Sequence, residues 1–431
     1  MAFWHLKGYY LWMNNPVSIL LKIKVVVPFI AALSGSICLG GTVAAPYQIG
    51  TWHGFRGAAI SYTFDDDCPN QYAEAVPMFH AAGLKMTLCT VTDPQTAFGH
   101  GIVWSNLQQA AAWGDEIASH TVTHGDLTTN TVTQLTNELS GSQGTINSYI
   151  TNESCLTLAY PYCTVPSEAI TAQYYIAART CSGSVVPSTP SDFFGISSFI
   201  LGTQGLLTTT AINNAAGNAY NQNGWCVYLI HAIDNDNGYS PLPSATLQAS
   251  VSYMTNFQNH FWVETFGNVV RYIKERNASS VAETANTGSS ITVQVTNNLD
   301  SSIYNYPITI RRPLPTGWPA IAISQNGQPI TAQLVTVSST VYAMFDVVPN
   351  GGDVFISETA LPPVLSNLVR TPPNSLTIRL GGQTNVNYAL YVSTDLLNWL
   401  PIQTNMMAST YTNFTITTSN SMQFYRAQWV P

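Results

Sequence analysis

Two short runs in this chain combine residue types that hold a metal ion and move protons: Asp65-Asp66-Asp67, which follows Ser61-Tyr-Thr-Phe64, and His120-Thr-Val-Thr-His124. Two imidazoles and one carboxylate leave open positions on a zinc-like ion, and water held there has its pKa lowered to roughly 7. The second aspartate of the pair is then free to act as a base. Adjacent residues of a continuing strand face opposite ways, so Asp65 and Asp66 reach one site only if the chain turns there. Asp67 reads as a cap for a helix that starts near Asn70. Thr121, Val122 and Thr123 are β-branched and disfavour a helix between the two histidines, which points to a loop with both rings turned inward. A third histidine, His231, follows the apolar run Val227-Tyr-Leu-Ile230. Its place suits a general acid if Asp192, Asp234 or Asp236 holds the ring.

The elements that must position these residues can be read from the pattern. From Ala58 to Arg276 short apolar runs alternate with helix-period segments, the signature of an α/β domain. Strands are expected at Ala58 to Phe64, Leu84 to Val91, Glu116 to Ser119, Leu156 to Tyr160, Trp225 to Ile230 and Phe261 to Thr265. Helical faces are expected through Tyr72, Val76 and Phe79, through Leu135, Leu139, Ile146 and Ile150, and through Leu247, Val251 and Met254, with a last helix from Phe266 to Arg276. The Asp pair, His120, Pro161-Tyr162 and His231 each follow a strand. In a distorted parallel (β/α) barrel such ends converge on one face, where active sites form.

Beyond Asn277 the composition turns to Thr, Ser, Asn, Val and Pro, with alternating segments and Pro/Gly punctuation. This predicts two small all-β sandwich-like modules. The expected division is a signal peptide at 1–45, a catalytic domain at 46–279, and β modules at 283–360 and 361–431. The segment Val392 to Trp399 with Phe424-Tyr-Arg426 is similar to a β module appended to secreted bacterial hydrolases.

Only 8% of the 431 residues are charged, and the net charge of −8 carries no basic run. Nucleic acid is therefore not an expected partner, and a neutral, hydroxyl-rich or amide-rich substrate fits better. Lys22 and Lys24 precede an apolar run from Val25 to Val43, which ends in small residues, the pattern of a cleaved secretory signal. A secreted, periplasmic or cell-surface protein without stable membrane insertion is expected. Six cysteines follow the signal, Cys68, Cys89, Cys155, Cys163, Cys181 and Cys226, an even count that favours disulfides in an exported chain.

Taken together, Thr63-Phe-Asp-Asp-Asp67, His120 to His124, Ala159-Tyr-Pro-Tyr162 and Leu229-Ile-His231 make the region from about Ala58 to Arg276 resemble the polysaccharide deacetylase family, which includes chitin and peptidoglycan deacetylases and acetylxylan esterases. The resemblance implies Asp65 as general base, Asp66, His120 and His124 as ligands of a divalent metal, and His231 as general acid. It also implies an oxyanion site at the backbone N–H of Tyr162, and an acetylated carbohydrate as substrate. The donor set suits zinc, and cobalt, nickel or manganese fit the same geometry.

Three residues depart from the family pattern. Asp67 replaces a glycine, Cys163 replaces another and is expected in a disulfide, and Ala159 stands where an arginine orients the catalytic aspartate. Only Arg56 and Arg179 lie between the signal and the closing helix, and Arg179, ending the run Ile176-Ala-Ala, is the expected replacement. Two other readings compete: an amidase of the same fold acting on a non-sugar amide, and a carbohydrate-binding or adhesive protein whose barrel has lost catalysis. Specificity is expected in the loops Ser182 to Ser198 and Asn235 to Pro243, with Trp104, Trp113, Trp225 and Tyr239 as aromatics for sugar stacking.

Overall fold

Eight consecutive residues, Ala58–Asp65, form a strand that is buried along its whole length. It lacks the in/out alternation of a half-exposed strand, as a strand covered on both faces must. The computed structural model describes residues 41–95, 103–418 and 422–430. The expected signal lies outside the described residues up to residue 40. Thr42 and Ala44, at its expected end, hydrogen-bond through their backbone N–H groups to Ser280 Oγ and Val281 O at 2.9 Å, so the fold already includes them.

Parallel strands flank Ala58–Asp65. The sheet runs Ala177–Arg179, Thr157–Ala159, Glu116–Ser119, Thr87–Thr90, Ala58–Asp65, Trp225–Ile230, Phe199–Ile200, and Phe261–Val263 joins the first half of the central strand. The chain leading into Phe199–Ile200 also pairs with the far edge: Ile196 bridges Arg179, and Thr180 N donates to Ile196 O at 2.7 Å. That contact curls the sheet into a distorted (β/α) barrel. Helices Val132–Tyr149, Thr209–Asn221, Ser244–Asn256 and Phe266–Ala278 cover it. Val132–Tyr149 begins with a reciprocal cap in which Thr131 Oγ1 accepts from Gln134 N and Gln134 Oε1 accepts from Thr131 N, two backbone donors satisfied together. Its Leu139 and Ile146 are fully buried, each contributing about 1.5–3 kcal/mol.

The chain from Ser280 onward is all β. Two antiparallel sheets make a sandwich up to Thr359, and Gln48–Ile49 completes one of them by pairing with Ile308–Pro313. Trp52, Trp225, Trp262, Phe266 and Ile273 of the barrel side pack in one cluster with Ile291, Val293, Ile308, Phe345 and Ile356 of the sandwich. Barrel and first sandwich therefore share a core. The last module, two three-stranded sheets from Val364 to Val430, has its own core around Ile378, Leu380, Tyr388, Leu390 and Phe414.

Candidate active site

Asp65 is the last residue of the central strand, and the chain turns at Asp66, whose φ is 73°. That turn brings both carboxylates to the same place. Asp67 follows with φ 52°, a left-handed position where glycine is easier. Its carboxylate caps no helix, contrary to the sequence expectation: Oδ2 accepts from Thr90 Oγ1 at 2.9 Å and Val91 N at 3.0 Å, which ties the turn to the next strand end. Burial pushes the Asp67 carboxyl up to about 7 against those two hydrogen bonds.

His120 and His124 sit on a loop, as the β-branched residues between them require. His120 Nδ1 is 2.8 Å from Ala159 O, which aims Nε2 at the aspartates. His124 has φ 57° and Thr121 φ 71°. The loop is wrapped on Glu138 of the Val132–Tyr149 helix, whose carboxylate accepts from Val122 N and Thr123 N at 2.9 Å and from Thr123 Oγ1 at 2.7 Å. Gln71 ties two strand ends together, donating through Nε2 to Asp65 O at 2.5 Å and His231 O at 2.9 Å. Neither Glu138 nor Gln71 was singled out by the sequence, because each acts on backbone brought near only by the fold.

One ligand atom from each of Asp66, His120 and His124 lies within 4.8 Å of the others. Asp66 Oδ1 is 3.4 Å from His120 Nε2 and 3.3 Å from His124 Nε2. These are ion-pair distances without hydrogen-bond geometry, and the buried Oδ1 accepts no hydrogen bond. Two imidazole nitrogens and a carboxylate oxygen turned to one point are a donor set that fits a divalent ion of the zinc kind.

Arg179, fully buried, donates from Nη2 to Asp65 Oδ2, and its Nη1 is bonded to Ser198 Oγ at 3.3 Å. Arg179 and Ala159 are register partners on adjacent parallel strands, so they face the same side. Cys89, Ala118 and Ala159 pack as a small-residue cluster beside them. The arginine thus comes from the strand next to the one where the family motif places it. Burial pushes the Asp65 carboxyl up, but Arg179, His120 and His231 outweigh it and hold the group down at about 2. At His120 burial works against the charged ring, yet Asp65 and Asp66 raise its pKa; His124 is lowered to about 4 by burial and by His120.

His231 Nε2 lies 3.9 Å from Asp66 Oδ2. None of Asp192, Asp234 and Asp236 holds its ring, contrary to expectation: they accept backbone N–H groups of Phe194, Ser244 and Asn70, as loop residues of this kind commonly do. His231 Nδ1 is buried without a hydrogen-bond partner, and burial lowers the pKa of the ring.

Asp65, Asp66, His120, His124 and His231 open into one cavity of about 360 Å³, walled by Tyr162, Tyr239, Ile200, Leu229 and the disulfide-bonded Cys163 and Cys181. Tyr162 and Tyr239 are about half exposed and stand edge-on to His124 and His231, with ring centroids 4.9 Å and 5.0 Å apart. The other three aromatics proposed for stacking lie elsewhere. Trp225 is core and bonds Ser61 Oγ, Trp104 stacks on Tyr149, and Trp113 stacks on His80. Nor do all the cysteines pair: among the described residues Cys68, Cys89, Cys155 and Cys226 are buried free thiols. Four residues of this lining, Asp66, His124, Tyr162 and Cys163, are left-handed and not glycine, and Asp67 and Thr121, next in the chain to lining residues, are left-handed as well. Each costs on the order of 1–3 kcal/mol, a strain that persists only where the surroundings over-determine the backbone.

Comparison with known proteins finds likenesses over the segment that carries these residues. A gellan lyase from Bacillus sp. is 27% identical over 344 residues, which cover 74% of this chain and 13% of that protein, so the chain spans about an eighth of the relative's length. Among solved structures, the Xyl-CE4 domain of a multidomain xylanase from the hindgut metagenome of Trinervitermes trinervoides is 17% identical, covering 49% of this chain and 88% of its own, with a TM-score of 0.34. A family 4 carbohydrate esterase from Streptomyces lividans is also 17% identical, covering 47% and 90%, with a TM-score of 0.33. The polysaccharide deacetylase family model matches residues 54–179. That match opens just before the central strand and closes on Arg179, with both aspartates, His120, His124 and Tyr162 inside it, so the segment that holds the candidate site is the segment similar to polysaccharide deacetylases.

Proposed function

We propose that this protein is a secreted hydrolase that removes O-acetyl or N-acetyl groups from a carbohydrate polymer or oligosaccharide, releasing acetate and a free hydroxyl or amine. The observation that carries the reading is the meeting of Asp66, His120 and His124 within 4.8 Å of one another, beside an Asp65 gripped by a buried arginine. A divalent ion, zinc by its donor set, would be held by those three residues and would supply, when bound, a polarised water and a Lewis acid for the acetyl oxygen.

The chain's own residues would do the rest. Arg179 holds Asp65 ionised and oriented through Oδ2, which leaves Oδ1, buried and without a hydrogen bond, to take a proton from the attacking water. His231, lining the same cavity, would return a proton to the departing oxygen or nitrogen. The Tyr162 N–H would donate to the oxyanion. Ile200 and Leu229 in the cavity wall offer an apolar surface to the acetyl methyl.

Export is part of the proposal, supported by the apolar run from Val25 to Val43 and by a disulfide. Among the described residues no helix is long and apolar enough to cross a membrane. The rival reading of a barrel that has lost catalysis was motivated by the missing motif arginine, and the contact of Arg179 with Asp65 weighs against it. The likeness to a gellan lyase gives that polymer a place among the substrates to try. The test is acetate release from acetylated xylan, chitooligosaccharides and gellan, with and without chelator and added zinc. Chelator-sensitive acetate is expected from at least one; none from any acetylated glycan, with zinc bound, would overturn the reading.

A further inference from the structure

We infer that the Cys163–Cys181 disulfide is a positioning element of this site: it clamps the turn that presents Tyr162 to the strand end that delivers Arg179 to Asp65. The inference rests on the deacetylase reading for its kinetic test and on geometry for the rest.

Thr157–Ala159 and Ala177–Arg179 are neighbouring parallel strands, and their pairing ends with Tyr160 N donating to Arg179 O at 3.2 Å. Past that bond the two segments diverge toward different tasks. One enters the Pro161–Cys163 turn, where Tyr162 and Cys163 take φ 55° and 60°. The other leaves Arg179 and runs to Cys181, with Cα atoms 5.7 Å apart across the bridge. Both cysteines, like Tyr162, line the candidate catalytic cavity.

The bridge stands where such a link is needed. Arg179 reaches Asp65 from an outer strand, across the space that Ala159 leaves open, so its grip depends on how closely the two strand ends are held. Three-residue strands have few ladder bonds to set that spacing. Two successive left-handed non-glycine residues also need an external restraint to persist. A single covalent link between residues 163 and 181 supplies both restraints, and it acts on Asp65 and on the oxyanion donor without touching substrate.

Two double variants test this, Cys163→Ser/Cys181→Ser and Cys163→Gly/Cys181→Ala. Glycine relieves the left-handed strain at 163 but restores no link to the arginine strand, so both variants should behave alike. We expect kcat for acetate release to fall roughly 10- to 100-fold, the scale of a small misplacement near the reacting groups, with KM and zinc affinity changed by no more than about threefold. Combined with Arg179→Ala, the loss should be smaller than the product of the two separate losses, since part of the bridge's effect passes through that residue and part through the Tyr162 turn. Independently of turnover, amide exchange should rise about tenfold or more in residues 160–164 and 178–182 and stay constant elsewhere. Wild-type kcat in either variant would overturn the inference, as would unchanged exchange at those segments. Loss of protection across the whole barrel in both variants would also overturn it, making the bridge a staple of the fold. If the intact protein releases no acetate, the functional reading falls and the exchange pattern alone decides for or against the clamp.

Discussion

Arg179 and Ala159 stand side by side on adjacent parallel strands, and it is the outer of the two that grips Asp65. A buried pair of this kind is weak evidence of stability, because both charges lose their water. Removing one partner is another matter. Arg179→Ala should destabilise the protein by about 3–5 kcal/mol by leaving a buried carboxylate unpaired, and should lower kcat strongly. Ala159→Arg in that background places a guanidinium on the neighbouring strand and should recover part of the activity. Denaturation and acetate release in the three proteins check both points; wild-type kinetics in Arg179→Ala would remove its role.

Asp65→Asn should abolish most turnover, by roughly 10²- to 10⁴-fold as for loss of a general base, while zinc binding persists. Equilibrium dialysis alongside the acetate assay separates the two. Full activity would dismiss Asp65 as the base.

Zinc should stabilise the native protein by about 2.7 kcal/mol at a concentration 100-fold above its dissociation constant. His120→Ala should abolish that stabilisation and the activity together. A zinc-dependent melting shift that survives in His120→Ala would exclude the ligand assignment.

Glu138 holds the loop between His120 and His124 through the backbone of Val122 and Thr123. Glu138→Ala should weaken zinc affinity by roughly tenfold, the lower end of the range for residues that orient ligands. A competition titration with a chromogenic chelator measures it, and unchanged affinity would show that the loop holds its shape without Glu138.

Glu275 lies in the closing helix where it meets the first sandwich, and its Oε2 accepts Tyr306 N at 3.1 Å. Burial raises its pKa from 4.5 to about 8, with Arg271 opposing, and the neighbouring Tyr304 phenol is the other titratable group facing it. Below about 4.5 the carboxyl is protonated in both folded and unfolded chains. Between about 4.5 and about 8 the unfolded chain releases a proton that the folded chain keeps, so stability falls as pH rises through that window. Glu275→Gln should flatten this part of the melting-temperature profile; a profile identical to wild type would place the pH dependence elsewhere.

Much of the barrel was legible because its central strands are short, buried and largely apolar runs with acidic residues or histidines at or just past their ends. Glu116–Ser119 and Trp225–Ile230 fall where the pattern places them. Helix Thr209–Asn221 was not read, since it buries Ile212 with Ala215, Ala216 and Ala219, and small residues leave almost no apolar period. Arg179 was found by elimination, a route open only in a chain so poor in arginine. The tie from Asp67 to Thr90, the bare Nδ1 of His231 and the bridging of Gln71 were beyond reach, because each depends on which loop lies beside which strand end. Sequence spacing carries strand ends well and the contacts between neighbouring loops hardly at all.

The shared core beneath the barrel also bears on inheritance. Trp52, Trp262 and Phe266 have their packing partners in the first sandwich, and Gln48–Ile49 is itself a strand of that sandwich. A recombination event or an expression boundary near residue 280 would strip a wall from the barrel and leave a sheet one strand short. A cut after Thr359 separates bodies with independent cores. The smallest piece that can be transplanted between proteins is therefore barrel plus first sandwich, and the last module is the one free to be exchanged.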